Sequence, residues 1–178
     1  MSNKNELDYA LSSTDIMHKM NNKCKIIQYG DLVHYKTIDE VFGKYKYVFI
    51  LYCTKKNNGH WTVLIRLPNN NIEFFDSYGS DDVDSELSFI PMAYRKVSNQ
   101  LHKTLSKLLQ NSPYKIEYNN HQMQAFKKGV NTCGRHCIVR CYNADKNIDD
   151  YFKAVKHNAK KDNISMDQLI VNKSLFKT

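Results

Sequence analysis

Three β-prone segments follow one another between residues 45 and 76, and they restrict the fold more than any other part of the sequence. Residues 45–53 are rich in aromatic and β-branched side chains and predict a buried strand. Residues 61–67 and 72–76 predict two further strands, joined by a turn at residues 68–71. Antiparallel pairing of the last two strands would place the start of one beside the end of the other.

Predicted helices lie on both sides of these strands. A Ser-Ser-Thr sequence at residues 12–14 can cap a short helix that ends near Met20, and residues 37–40 have the spacing of a capping box for a helix at 38–43. The other predicted elements are a long amphipathic helix at 92–110, a strand at 114–118, and helices at 133–144, 148–157 and 166–172. Strands grouped between helices favour an α+β fold, in which a central mixed or antiparallel sheet is flanked by helices.

Chain length and cysteine content restrict the class of protein. A chain of 178 residues is long enough for one well-packed domain and short for two, so residues 1–178 are assigned to a single domain. Five cysteines, an odd number without regular pairing, indicate a reducing compartment. The sequence has no apolar run near the roughly 18 residues of a membrane span, and its polar start does not resemble a signal peptide. We therefore expect no membrane partner.

The chain is basic, with a net charge of +8. Such a charge is typical either of a lysine-rich solvated surface or of a polyanion partner such as nucleic acid. The Lys and Arg residues are scattered, with small clusters at 127–128 and 160–161, and no nucleic-acid-binding motif accompanies them. We treat contact with DNA as an auxiliary property rather than the main activity.

Cys133 is a candidate nucleophile. It lies in the sequence Asn-Thr-Cys-Gly-Arg-His-Cys-Ile-Val-Arg-Cys, where turn-forming residues lead into an apolar helical pattern. A cysteine at the start of a helix has exposed amide groups and the positive end of the helix dipole beside it, and both favour a thiolate. The alternative is that Cys133 is a small buried residue of a core helix.

His60 and Asp76 are candidate partners of that thiol. His60 begins the second predicted strand and follows Gly59, which permits close approach of another group, while Asp76 ends the third strand. The hairpin would bring the two side chains to the same sheet edge, where a carboxylate can orient an imidazole and stabilise its charged form. The acids at 81, 82, 84 and 86 follow closely and are expected to lie in a solvated loop. Trp61 is expected either to close over the site or to fill the core.

An oxyanion formed during acyl transfer needs hydrogen-bond donors. The amide of Cys133 can supply one donor, and a glutamine side chain from the preceding loop can supply another. Gln122 and Gln124 both lie in that loop.

The order of these motifs resembles that of the adenain-like cysteine maturation proteases of large DNA viruses, virophages and polinton-type elements, and of the related SUMO-deconjugating proteases. The motifs are Gly-His-Trp after an apolar strand, an acid after the next strand, a glutamine, and Cys-Gly opening a helix. The resemblance covers roughly residues 11–155 and includes the segments 11–16 and 28–32. The glutamine departs from the usual spacing, because Gln124 lies nine residues before Cys133 and Gln122 eleven; the viral pattern favours Gln124.

The resemblance implies a papain-like catalytic core without a metal or organic cofactor. It implies a monomeric cysteine endopeptidase that cleaves capsid or core precursor polypeptides after small residues, in a Gly-containing motif, during virion maturation. The expected location is the virion or the cytoplasm or nucleus of the host cell, and DNA is a candidate activator or scaffold. In this assignment Cys133 is the nucleophile, His60 the base, Asp76 the residue that orients it, and Gln124 an oxyanion donor.

Alternative functions differ in how well they account for the same residues. A zinc site of Cys133, His136, Cys137 and Cys141 is disfavoured, because eight helical residues separate the end ligands by about 12 Å. Cys137 and Cys141 are expected to pack in the core, and Arg135 and His136 to lie at the surface or the rim of a cleft. A non-catalytic nucleic-acid-binding module would explain the charge but not the Cys-His-Asp set. A protease of ubiquitin-like proteins and an acyltransferase would both use that set.

Overall fold

A five-stranded mixed sheet organises the molecule. The computed structural model describes residues 3–175, so residues 1–2 and 176–178 of the assigned domain lie outside the described residues. The strands are β1 (Lys25–Gln28), β2 (Tyr47–Lys55), β3 (Asn58–Leu67), β4 (Asn71–Phe75) and β5 (Lys115–Tyr118), and they lie in this order across the sheet. The central strands β2, β3 and β4 are antiparallel neighbours, whereas β1 and β5 pair in parallel at the two edges. The predicted α+β class with a mixed sheet is confirmed.

Helices cover both faces of the sheet. They are α1 (Asn3–Asp8), α2 (Ser13–Lys19), α3 (Ile38–Phe42), α4 (Met92–Val97), α5 (Thr104–Gln110), α6 (Cys133–Tyr142), α7 (Ile148–Lys161) and α8 (Met166–Leu175), with 3-10 helices at Tyr29–His34 and Ser85–Phe89. The predicted helices near residues 14–20 and 38–43 are confirmed. Among the described residues, no helix has the length and apolar run needed to cross a bilayer.

Each face of the sheet has its own apolar core. Along β3, Val63 and Ile65 enter the core that contains α6, while Leu64 enters the core on the opposite face. The same alternation separates Phe75 from Phe74 on β4. Period-2 alternation with apolar residues on both sides is the pattern of a strand buried on both faces, which explains the continuous apolar runs in the sequence.

A buried ion pair joins α6 to the sheet. Arg140 Nε donates to Glu73 Oε2 and Arg140 Nη2 donates to Glu73 Oε1, both at 2.7 Å. The guanidinium also donates to the carbonyl oxygens of Asn143 and Lys146, at 2.8 and 2.9 Å. Arg140 and Glu73 are fully buried, so each depends on the other to compensate the loss of hydration.

The predicted long helix at 92–110 is wrong. The chain forms α4 and α5 instead, separated by residues 98–103, with Asn99 in the left-handed region at φ +57°. Gln100 explains the break. Its side chain is buried and pairs with both backbone groups of Cys53, through Oε1 at 3.0 Å and Nε2 at 2.9 Å. Val97 is 79% exposed, so the apolar spacing that predicted one helix does not form one buried stripe.

The connection between β2 and β3 is also tighter than predicted. The polar segment 55–59, which lies between the first two predicted strands, is mostly strand, because β2 extends to Lys55 and β3 begins at Asn58. Asn57 takes a positive φ of 56°, which asparagine tolerates better than most residues. The edge strand β1 was not predicted, because it is only four residues long and its burial does not alternate cleanly.

Candidate active site

His60 and Asp76 meet at the edge of the β3–β4 hairpin. The register pairs Val63 with Phe75, so Asp76 follows β4 directly and faces the first residues of β3. His60 Nε2 and Asp76 Oδ1 are 2.8 Å apart, and both side chains are buried. The predicted proximity of the two residues is confirmed, whereas their catalytic roles stay predictions.

The contact fixes the tautomer of the imidazole. A carboxylate only accepts hydrogen bonds, so His60 Nε2 carries a proton and Nδ1 is the nitrogen left for another partner. Asp76 Oδ1 also accepts the backbone N–H of Tyr78 at 2.9 Å, which holds the carboxylate in place. The Tyr78 ring stacks on the imidazole with centroids 4.6 Å apart and an angle of 13° between planes.

The surroundings of His60 favour its charged form. Burial lowers its pKa, but the charge and hydrogen bond of Asp76, together with the thiol of Cys133, outweigh burial and raise the pKa well above 6.5. The imidazole can therefore hold a proton at neutral pH, as an imidazolium paired with a thiolate requires.

Glycine precedes His60 for a steric reason. A Cβ atom at Gly59 would stand 1.8 Å from the carbonyl oxygen of Tyr52 on the neighbouring strand. Tyr52 pairs directly with His60 in the sheet, so any larger residue at position 59 would displace the strand end that carries the imidazole. The predicted close approach at Gly59 is confirmed.

Cys133 begins α6 and lies beside β3, the strand that carries His60. The backbone N–H of Trp61 points at Cys133 Sγ with an N–S distance of 3.5 Å. Gly134 allows this approach, since a Cβ there would be 3.3 Å from both Trp61 Cδ1 and Leu11 Cβ. Trp61 is itself buried, and its indole N–H donates to the carbonyl oxygen of Leu11 at 2.9 Å. Of the two predicted roles of Trp61, the structure places its ring in the core.

The remaining cysteines are core residues in this structure, as predicted for Cys137 and Cys141. Burial raises the pKa of Cys137 and Cys141 well above 9.0, and it raises the pKa of Cys24 and Cys53 to about 11. These four side chains are therefore thiols at neutral pH.

Gln124 is held in a defined orientation between two loops. Its Oε1 accepts the hydroxyl of Ser77 at 2.7 Å, and its Nε2 donates to the carbonyl oxygen of Val130 at 3.2 Å. A carbonyl oxygen can only accept, so the Val130 contact assigns the amide nitrogen, and one N–H of Nε2 is left for another acceptor. Gln124 is buried, whereas Gln122 is exposed at a cleft and donates to the Gln124 carbonyl oxygen at 3.2 Å.

Asp167 of α8 is a site residue that sequence reasoning missed. Its Oδ1 accepts the Thr132 hydroxyl at 2.6 Å and lies 2.9 Å from His136 Nε2, while its Oδ2 accepts the Ala125 N–H at 2.9 Å. Burial raises the pKa of Asp167, but the hydrogen bonds and the charge of His136 outweigh burial and lower it. One buried carboxylate thus joins the residue before Cys133 to the residue after Gln124.

The expected surface or cleft-rim position of Arg135 and His136 is wrong, because both are buried. Arg135 donates to Ser174 Oγ at 2.9 Å and pairs with Glu6, while His136 pairs with Asp167. These partners come from α1 and α8, the terminal helices, so the local pattern around Cys133 contains no sign of them.

The expectation of a solvated acidic loop holds for only two of its four acids. Asp81 and Asp82 are exposed, but Asp84 is buried and accepts the hydroxyl groups of Tyr29 and Ser106. Glu86 is half-buried beside the candidate site: it, His60 and Asp76 each offer one ligand-type atom, and these atoms lie within 4.8 Å of one another. The group could chelate a cation, although two of its members already pair with each other.

Comparisons with known proteins give a sequence relative and a distant structural one. No protein family model matches the chain. The chain is 38% identical over 161 residues to "Uncharacterized protein V9" of the Sputnik virophage, which covers 90% of this chain and 91% of that protein. A solved structure of the SUMO protease Ulp1, with its catalytic cysteine oxidised to a sulfinic acid, aligns with this chain at 18% identity and a TM-score of 0.38. The alignment covers 94% of this chain and 80% of the Ulp1 chain. A likeness at that level says nothing about activity.

Proposed function

The chain belongs to the family of the Sputnik virophage protein V9, and we propose that it is a cysteine endopeptidase whose nucleophile is Cys133. The observation that carries the proposal is the 2.8 Å contact between His60 and Asp76, made beside a thiol at the start of a helix. Buried His–carboxylate pairs also occur for structural reasons, as His136 and Asp167 show in this molecule. The pair at His60 differs because it adjoins both a helix-start cysteine and an open cleft.

The geometry supports an acyl-transfer mechanism. His60 Nδ1 accepts the Cys133 thiol proton, and the thiolate attacks the carbonyl carbon of a peptide bond. The resulting oxyanion accepts hydrogen bonds from the Cys133 backbone N–H and from the free N–H of Gln124 Nε2. His60 then gives its proton to the departing amine, which leaves a thioester on Cys133.

Hydrolysis of the thioester completes the cycle. A water molecule gives one proton to His60 Nδ1 and attacks the thioester carbonyl, and the carboxylic acid product leaves as the thiol regains its proton. Asp76 stays hydrogen-bonded to Nε2 throughout, so it fixes the ring and stabilises the imidazolium without itself accepting the proton.

Viral precursor polypeptides are the proposed substrates. The virophage source of the relative, together with the adenain-like order of the sequence motifs, supports capsid or core precursors as targets, with cleavage after small residues. DNA as an activator or scaffold belongs to the same proposal and is supported only by the charge of +8.

The test is cleavage of a peptide library prepared from a digested bacterial proteome, with new termini identified by mass spectrometry. Wild-type protein should create new termini at a defined motif, and Cys133→Ala should create none. Cys53→Ala is the matched control, because it removes another buried thiol of the same core, on β2 rather than at the start of α6. New termini that persist in Cys133→Ala would disprove the assignment.

Two further arms separate the related chemistries. Acyl groups transferred from an added thioester donor to Ser, Thr or Lys, without peptide cleavage, would identify an acyltransferase. Cleavage confined to the carboxyl terminus of a folded ubiquitin-like protein would identify a deconjugating protease. Co-expression with virophage capsid precursors, followed by sequencing of their new termini, tests the proposed substrates.

A further inference from the structure

An open cleft adjoins the candidate site on the side of His60 that Asp76 occupies. It encloses about 310 Å³, and Asp76, Tyr78, Glu86, Phe89 and Phe126 are among its lining residues. Tyr78 belongs both to the cleft and to the stack on His60, so a group bound in the cleft would lie next to the imidazole.

Aromatic rings form one wall of the cleft. Phe126 meets Tyr78 edge-on at a centroid distance of 5.1 Å and lies 5.8 Å from Phe89. Phe89 is 59% exposed and Phe126 is 65% exposed, so much of each side chain is open to solvent. Exposed aromatic rings at a concave site attract both apolar groups and cations.

The charge of the cleft is opposite to that of the whole chain. Its lining includes the carboxylates of Asp76 and Glu86 and no Lys or Arg, although the net charge of the protein is +8. Asp76 is paired with His60, whereas the Glu86 side chain forms no hydrogen bond or ion pair with any residue in the described part of the chain. Glu86 is thus a half-buried carboxylate that lies within 4.8 Å of the His60–Asp76 pair without a direct hydrogen bond to either of them.

We propose that this cleft binds a Lys or Arg side chain of the polypeptide substrate, with Glu86 as its counter-ion and the rings of Tyr78 and Phe126 as its walls. A carboxylate beside aromatic faces matches a cationic head group on an apolar stem, because the stem packs on the rings and the head pairs with the acid. The proposal rests on the proposed peptidase function and names a specificity element of the same site. A small residue at the scissile bond is compatible with this proposal. Cys133 does not line the cleft, so the basic side chain can belong to another position of the substrate.

The protonation of Glu86 fits this role. Burial raises its pKa and the Asp76 charge adds to the effect, while the charge of His60 opposes it. A bound cation would favour the ionised carboxylate, so the preference for basic substrates should weaken as the pH falls through the raised pKa of free Glu86.

The experiment compares peptides that differ at one position. The peptide-library cleavage described above first locates any position, on either side of the scissile bond, at which Lys or Arg is enriched. Synthetic peptides with lysine, norleucine or glutamate at that position are then compared by kcat/KM. Norleucine keeps the aliphatic stem of lysine and removes the charge. The ratio of kcat/KM for the lysine peptide to kcat/KM for the norleucine peptide therefore isolates the contribution of the ion pair. We expect lysine to exceed norleucine by roughly ten-fold.

Variants assign the preference to Glu86. Glu86→Gln should reduce the lysine-to-norleucine ratio to about one, and Glu86→Lys should reverse the order of the lysine and glutamate peptides. Asp81→Asn removes the same charge from an exposed position five residues earlier and should keep the wild-type ratio, which excludes a long-range effect of net charge. Thermal melts of all variants check that they fold.

The outcomes separate the inference from the peptidase assignment. A wild-type enzyme that cleaves the lysine and norleucine peptides equally, or a lysine preference that survives in Glu86→Gln, overturns the role of Glu86 and leaves the peptidase intact. Wild-type protein that produces no new termini in the library overturns the peptidase assignment and this inference with it.

Discussion

The hydroxyl group of Thr132 donates a 2.6 Å hydrogen bond to Oδ1 of Asp167, so the residue immediately before the candidate nucleophile is anchored to α8. The other oxygen of the same carboxylate accepts the N–H of Ala125, next to Gln124. The two segments proposed to supply oxyanion donors are therefore positioned by one side chain that does not itself line the cleft.

Asp167→Asn should lower kcat with little change in KM. The amide replaces one acceptor oxygen by a donor, which leaves at least one of the three donors to Asp167 unsatisfied, at about 1–3 kcal/mol of folding free energy where that donor is buried. A small displacement of the donors would lower kcat by roughly ten- to a hundred-fold. Asp149→Asn, at an exposed carboxylate that pairs with His121, is the control and should keep its kcat. An Asp167→Asn enzyme whose kcat per folded molecule equals that of wild type would contradict a positioning role.

Iodoacetamide should modify Cys133 before any other cysteine of the native protein. Burial holds the other four as thiols, and Cys133 alone lies beside an imidazole that can remove its proton. Intact-mass and peptide mapping should show a single adduct, absent from Cys133→Ala. Cys137→Ala should keep its activity and lose roughly 1 kcal/mol or more of stability through the cavity it leaves. Equal labelling of several cysteines in folded protein would argue against a distinct nucleophile.

Asp76→Asn should lower kcat/KM by roughly two to four orders of magnitude. Asparagine keeps the shape of the side chain but removes the charge that stabilises the imidazolium and selects its tautomer. The pKa of His60, followed by NMR, should fall in the same variant, because Asp76 raises it in the wild type. Asp81→Asn and Asp82→Asn, at exposed positions, serve as controls on the same peptide. Equal and mild losses in all three variants would reduce the site to a Cys–His dyad.

The stability contributed by His60 should depend on pH with a definite sign. Its folded-state pKa is raised above the unfolded value of 6.5, so the contribution is complete below about pH 6.5 and is lost as the pH rises through the folded-state pKa. Urea unfolding should therefore show a larger stability difference between wild type and His60→Gln at pH 6 than at pH 9. His157→Gln, at an exposed position of α7, is the control for effects of losing an imidazole elsewhere. A difference that grows towards pH 9 would reverse the sign and refute the assigned direction.

DNA binding, if the basic surface serves it, should weaken steeply with salt. Neutralising 6–10 phosphates would cost about three to five orders of magnitude in affinity between 50 and 200 mM salt, because condensed counterions are released. Fluorescence anisotropy with a labelled duplex measures how steeply the affinity falls with salt concentration. The double variant Lys127→Glu, Lys128→Glu should make this dependence less steep, since both side chains are exposed. Absence of binding at low salt would leave the charge of +8 as a property of solubility alone.

The sequence predicted those parts of the site that depend on neighbouring strands. The proximity of His60 and Asp76 follows from a hairpin whose turn and strands are continuous in sequence, so local pairing rules were enough. The steric need for Gly59 follows from the same pairing with Tyr52. Local patterns of this kind are the ones that periodicity and turn chemistry can detect.

Contacts between distant segments could not be predicted in this way. Asp167 lies 35 residues after Thr132, and only the packing of α8 on α6 brings them together. Gln100 interrupts an apparently continuous helix because of its two bonds to Cys53, 47 residues earlier. Glu86 carries the same charge as Asp81 and lies only five residues after it, so no sequence signal separates the acid at the cleft from the one in solvent.

The buried ion pair between Arg140 and Glu73 affects the orientation of the Cys133 side chain. Arg140 lies seven residues after Cys133, which is close to two full helical turns, so the two residues project from nearly the same side of α6 about 10 Å apart. Bidentate bonding to a rigid strand stops α6 from rolling about its own axis or sliding along the sheet. The orientation of the Cys133 Sγ atom is therefore fixed by an ion pair near the opposite end of the same helix.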